Sequence, residues 1–128
     1  MSRLEQIKEP ISTEFEVFKQ KFDMSLQSSN PLLSEVISFI KQRRGKMMRP
    51  MLTLLMAKMC GEINDSTYNV AISLELLHTA SLVHDDVVDE SDKRRGQSSV
   101  NAIYDNKVSV LVGDYLLATS LTNAALTQ

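Results

Sequence analysis

Apolar residues recur along this chain at steps of three and four, with charges between them, and that spacing predicts helices throughout. Leu4, Ile7, Ile11, Phe15 and Phe18 trace a first stripe. Pro10 is expected to break it before the helix resumes to Met24. Ser28-Ser29-Asn30-Pro31 is a helix start, with a capping polar group and Pro at the first helical position. The helix it opens carries Leu32, Leu33, Val36, Ile37 and Ile40 and is expected to end in the basic run Lys41 to Arg44 before Gly45. A further helix starts around Arg49-Pro50 and runs through Leu52, Leu55, Met56 and Met59 to Gly61.

Asp65-Ser66 is expected to cap the longest element, Ser66 to Glu90, which at ~1.5 Å per residue spans ~37 Å. Ala71, Ile72, Leu74, Leu76, Leu77, Leu82 and Val83 leave it little polar face, so it is expected to be central and buried. Ser91 to Gly96 reads as a charged loop, Ser98 to Tyr104 as a short helix, and Val108 to Leu126 as a last helix capped by Asn106. No strand alternation, repeat or linker interrupts this pattern. The expected fold is all-α, an antiparallel helical bundle formed by residues 1–128 as part of one domain.

Composition supports that reading and narrows the chemistry. Only 4 Gly and 3 Pro occur in 128 residues, which favours long regular elements. A formal net charge of −2 gives no general attraction for nucleic acid, so any basic site must be local. Cys60 is the only cysteine, which excludes an intrachain disulfide and suits a reducing cytoplasm. Residues 1–10 lack the apolar core of a signal peptide, and no run reaches membrane-spanning length. A cytoplasmic protein is expected. The methionines Met47, Met48, Met51, Met56 and Met59 are read as core packing.

The chemistry concentrates at the end of the long helix, in His84-Asp85-Asp86-Val87-Val88-Asp89. Asp85 and Asp89 lie ~40° apart around the axis and one turn apart along it, so their carboxylates can converge on one hard cation. Asp86 points away from them and suits a supporting role. Carboxylates against the negative end of the helix dipole are each disfavoured by roughly 0.3–1 kcal/mol, a penalty a divalent cation removes. Oxygen-only ligands favour Mg2+ over zinc. Taken alone, three aspartates in five residues are equally a solvated acidic helix end.

Basic groups flank the cluster. Lys46 and Arg49 sit where a helix begins, a position that already favours an anion, and Arg49 offers a fork that matches phosphate oxygens. Arg94 and Arg95 follow the aspartates on a loop. His78 lies ~20° around the helix from Asp85 and ~10 Å down its axis, sharing the aspartates' stripe. His84 is left as a structural residue. Each group has a plainer reading: a solvated basic turn, local charge balance, a core histidine.

Together these residues resemble the trans-type polyprenyl diphosphate synthases. The likeness rests on Gly45-Lys46-x-x-Arg49-Pro50, on Leu76-Leu77-His78-Thr79-Ala80 and on Asp85-Asp86-x-x-Asp89. It continues in Asp92 with Arg94-Arg95-Gly96 and in Leu111-Val112-Gly113-Asp114-Tyr115-Leu116-Leu117. The resemblance implies prenyl transfer by a homodimer of isoprenoid-synthase bundles. Lys46, Arg49, His78 and Arg95 match ligands of isopentenyl diphosphate, and Arg94 a contact to the allylic prenyl diphosphate. Asp85 and Asp89 match its Mg2+ ligands, with Asp86 in the same motif. Ala80 and Ser81 match the positions that control product length, and both are small, which implies a long product of octaprenyl type. The family fold is more than twice as long and carries a second aspartate-rich motif. No such motif follows Asp114, so the chain alone is expected to be inactive. Two rivals stand beside this reading: a class I terpene cyclase, disfavoured by Lys46, Arg49 and Arg95, and a non-catalytic diphosphate-binding regulatory subunit.

Overall fold

The computed structural model describes residues 2–42, 47–94 and 97–126 of the chain. Helix α1 (Arg3–Lys8) is capped by Ser2, whose Oγ accepts from Glu5 N at 3.2 Å while Glu5 Oε2 accepts from Ser2 N at 3.0 Å. At Pro10 the chain tightens into a single 3-10 turn, Glu9–Ile11, and then resumes as α2 (Ser12–Ser25). This is the break expected of a proline that cannot donate to the preceding turn. Phe15, Phe18 and Phe22 bury one face of α2, and their rings tilt against one another at 6.0 and 5.6 Å. Helix α3 (Pro31–Gln42) starts on the expected cap, with Asn30 Oδ1 accepting from Leu33 N at 3.1 Å. Residues 43–46, including the rest of the basic run and Lys46, lie outside the described residues.

Helix α4 (Met48–Cys60) opens from Met47, which is left-handed at φ 55° and buried. Pro50 falls in its first turn, where a missing N–H leaves no helical bond unmade. Helix α5 (Asp65–Val88) is the long rod. Its cap is Asn64, not Asp65-Ser66: Asn64 Oδ1 accepts from Thr67 N at 3.1 Å, and Thr67 Oγ1 accepts from Asn64 N at 3.3 Å. The expected charged loop runs into a two-residue antiparallel ladder, β1 (Lys93–Arg94) with β2 (Gln97–Ser98), which pairs Lys93 with Ser98 and delays the short helix. Helix α6 (Val100–Ile103) leads into α7 (Asn106–Ala125). Here the cap is Asp105, whose Oδ1 accepts from Val108 N at 2.8 Å, and Asn106 is already helical.

The core is the contact of α5 with α7, closed by α2, α3 and α4 around Phe18, Leu54, Leu76 and Leu116. Burying each such side chain contributes roughly 1.5–3 kcal/mol. The two long helices run antiparallel, because Ser73 meets Ser120 while His84 meets Val110 and Asp114. At the serine end the hydroxyls are reciprocal. Ser73 Oγ donates to Ser120 O at 3.0 Å and Ser120 Oγ to Ser73 O at 2.8 Å. Small side chains let the backbones approach, and two hydrogen bonds set the register.

Two expectations about burial need correction. Helix α5 is not buried all round: Leu74, Leu77 and Val88 lie on an exposed face, Leu77 at 45%. Of the methionines, Met47 and Met51 are in the core, whereas Met48, Met56 and Met59 join Leu52 on an open face of α4, with Met59 at 79%. Helical spacing places residues on a common face, but whether another element covers that face is a tertiary matter. No helix among the described residues is long and apolar enough to cross a membrane.

Candidate functional site

The last turn of α5 separates the three aspartates. Asp85 and Asp89 are both exposed, and Asp89 N donates to Asp85 O at 2.8 Å, which fixes them on adjacent turns of one face. Asp86 is 4% exposed and turns into the protein, as its ~100° offset requires. The helix then stops in a Schellman motif. Glu90 N donates to Val87 O at 3.2 Å, Ser91 N donates to Asp86 O at 2.9 Å, and Glu90 itself is left-handed at φ 54°. The helix therefore ends at Val88 with Asp89 as its C-cap, short of the expected Glu90.

The following loop folds back on this end. Ser91 O accepts from Ser99 Oγ at 2.8 Å and from Asn101 Nδ2 at 3.0 Å, and Ser99 N donates to Asp92 O at 2.9 Å. The loop that carries the two arginines is thus tied by its base to the start of α6. Among the described residues Asn101 Oδ1 is a buried acceptor without a partner, a state that costs about 1–3 kcal/mol. The backbone of Arg94 lies in the ladder, while Arg95 and Gly96 are outside the described residues.

The open face continues down α5 from Asp85. Ser81 is exposed one turn below it, its Oγ bonded to Leu77 O at 2.9 Å, and Leu77 and Leu74 extend the same face as an apolar stripe. His78 is half-buried. Ala80 is 2% exposed and packs in the core, off this stripe. A residue beside Ser81 is rotated ~100° from it, and that rotation carries Ala80 to the α5 face covered by other helices. Arg49 is exposed in the first turn of α4. The structure therefore brings Asp85, Asp89 and Ser81 onto one face and turns Asp86 and Ala80 inward. It leaves Lys46 and Arg95 outside the described residues.

His84, left as a structural residue by its sequence context, makes side-chain contacts across to α7. Its Nε2 lies 3.3 Å from Val110 O and 3.3 Å from Asp114 Oδ1 on α7. Gly113 makes room for it, since a Cβ there would stand 2.2 Å from Nε2. A glycine inside a helix is disfavoured by roughly 0.5–1 kcal/mol, and that was the available signal.

Among the described residues no group of three or more His, Cys, Asp or Glu is arranged to hold a metal. Two exposed carboxylates one turn apart nevertheless fit Mg2+, which takes one or two carboxylates and completes its shell with water and phosphate oxygens. They do not fit a closed zinc site. A small hollow of about 20 Å³ beside Phe22, Leu26 and Leu76, and an open groove of about 340 Å³ beside Ser28, Ser34 and Lys41, both lie away from the aspartates.

A family model described as "Polyprenyl synthetase" matches residues 30–126. The chain is 43% identical over 110 residues to an all-trans-nonaprenyl-diphosphate synthase (geranyl-diphosphate specific) of Rhodobacter capsulatus, covering 85% of this chain and 34% of the relative. It is 41% identical over 113 residues to heptaprenyl diphosphate synthase component 2 of Bacillus subtilis, covering 87% and 32%. Its fold superimposes on the crystal structure of a decaprenyl diphosphate synthase from Rhodobacter capsulatus with a TM-score of 0.87 at 37% identity, covering 94% of this chain and 38% of that one. The chain spans about a third of the length of the curated relatives it matches.

Proposed function

The chain belongs to the polyprenyl synthetase family, and on that premise we propose that it supplies the first aspartate-rich half of a prenyltransferase site. The reaction joins isopentenyl diphosphate to an allylic prenyl diphosphate and makes a medium-to-long trans-polyprenyl diphosphate. One observation carries the reading. Asp85 and Asp89 stand exposed on adjacent turns, above small Ser81 and an apolar stripe of Leu77 and Leu74 on the same helix face.

Asp85 and Asp89 would hold Mg2+, which when bound supplies Lewis-acid stabilisation of the departing diphosphate. Arg94 holds the allylic diphosphate, while Lys46, Arg49, His78 and Arg95 hold isopentenyl diphosphate through charge-assisted hydrogen bonds. The allylic C–O bond breaks and its electron pair leaves with diphosphate. The isopentenyl π pair forms the new C–C bond, and a proton lost from the adjacent carbon restores a double bond. The apolar stripe keeps water from the carbocation and accommodates the growing chain. Asp86, buried behind the pair, supports the turn that presents them. Small Ser81 at the head of the stripe favours a long product, in keeping with the nonaprenyl and heptaprenyl names of the relatives. The site belongs to a single isoprenoid synthase domain that works as a homodimer in the cytoplasm, where exposed Cys60 stays a free thiol.

Calorimetry tests the site directly. Binding of inorganic pyrophosphate to the 128-residue chain should depend on Mg2+, and Asp85→Asn or Asp89→Asn should weaken it at least about tenfold. Affinity unchanged from the parent in both variants would reject the assignment. The alternative reading is a diphosphate-binding subunit that regulates a complete synthase. Stable co-purification with a longer homologous chain, without turnover of its own, would select it.

A further inference from the structure

We propose that His84 is a positioning residue: its ring, seated in the gap left by Gly113, fixes the rotation of the last turn of α5 and so the aim of Asp85 and Asp89. This rests on the metal-binding reading of those aspartates given above.

The ring reaches across to α7, where both of its neighbours, Val110 O and Asp114 Oδ1 at 3.3 Å each, are acceptors. Nε2 must therefore carry a proton and donate, whatever the charge of the ring. Val110 lies three residues before Gly113. In a helix the side chain at that offset stands over the carbonyl of the preceding turn and screens it from outside. Gly113 has no such side chain, and a Cβ would come within 2.2 Å of Nε2 and 2.4 Å of Cδ2. The carbonyl is open only because this residue is glycine, in the middle of a helix and at a buried position.

The contact has leverage because of where it falls. His84 immediately precedes Asp85, and Asp85 is locked to Asp89 by the 2.8 Å helical bond, so these residues turn as one body. The reciprocal Ser73–Ser120 bonds hold the same helix pair eleven residues earlier, ~16 Å away along α5. The serines set register at one end, and the histidine sets rotation at the end that carries the aspartates. Simple filling of the core does not account for it, since the ring is about a third exposed and an apolar side chain would fill the same gap without reaching a carbonyl.

The test is Mg2+ titration of the 128-residue chain followed residue by residue by 1H–15N NMR. Loss of an outer partner that orients a ligand typically lowers metal affinity about tenfold, so His84→Ala and Gly113→Ala should each weaken the Mg2+ response of Asp85 and Asp89 by about that factor. His84→Gln, whose amide nitrogen stands near the place of Nε2, should restore most of it. The double variant His84→Ala/Gly113→Ala should be no weaker than His84→Ala, because the ring that would clash is gone. Should Gly113→Ala fail to fold, the Gln and double variants still decide. The proposal is overturned if His84→Gln is as weak as His84→Ala, or if both single alanine variants bind Mg2+ like the parent while Asp85→Asn does not. If Asp85→Asn and Asp89→Asn leave the Mg2+ response unchanged, the metal reading itself fails, and the two failures are thereby told apart.

Discussion

Ala80 and Ser81 are adjacent, equally small and matched to the same family role, yet the structure places one in the core and the other on the open face below Asp85. Their substitution should therefore separate stability from specificity. Ala80→Tyr forces a phenol into a close-packed layer and should destabilise the chain by about 1–3 kcal/mol, read as a lower midpoint in urea. Ser81→Phe should leave that midpoint nearly unchanged, and in the full-length synthase context it should shorten the product. An unaltered product distribution would remove Ser81 from the chain-length role. The motif was legible in the sequence as a block of letters. Which letter faces outward was not, because neighbouring residues on a helix differ by 100° and the covering helices decide which direction is inside.

At the scale of single elements, the ends of helices carry the testable strain. Glu90 holds the left-handed position of a Schellman motif, which disfavours any residue with a Cβ by roughly 1–2 kcal/mol. Glu90 is exposed, so Glu90→Gly should raise stability by about 0.5–1 kcal/mol in a thermal or urea melt. A second tie joins the first elements to α4. Lys58 Nζ donates to Pro10 O and lies 3.3 Å from Glu14 Oε1. Glu14 is held below its ordinary value of 4.5, first by a backbone hydrogen bond and then, against some desolvation, by Lys58. A depressed carboxylate adds stability that is present above the unfolded pKa and is lost as pH falls from 4.5 through the lower folded value. Lys58→Met should therefore reduce the melting temperature near neutral pH and have a smaller effect at more acidic pH, once Glu14 is protonated in the parent too. A difference independent of pH would assign the tie to the Pro10 carbonyl alone. The proline break and the Asn30 cap were readable because both act within a few residues. Asn64 and Asp105 cap in place of their neighbours Asp65 and Asn106, since all four residue types cap well and only the backbone path selects between adjacent candidates.

Across the whole molecule, Met48, Leu52, Met56 and Met59 on α4, Leu74 and Leu77 on α5, and Leu111 and Leu121 on α7 leave large apolar side chains uncovered. Such patches drive association. At micromolar concentration the 128-residue chain should sediment heavier than a monomer, and Leu52→Glu with Met56→Glu should shift it toward the monomer.

The order of helices, their breaks and the run of aspartates follow from local spacing, which acts through hydrogen bonds and dihedral preferences a few residues long; the sequence alone determined these. It also placed Asp85 and Asp89 on one face and Asp86 on another, because helix geometry is the same in every context. Which apolar faces are covered, the inward turn of Ala80 and the meeting of His84 with Val110, Gly113 and Asp114 depend on contacts between residues far apart in the chain. Only the packing of α5 against α7 and of the other helices around them decided these, since burial and a hydrogen bond across 26 residues exist only once helices have chosen a register.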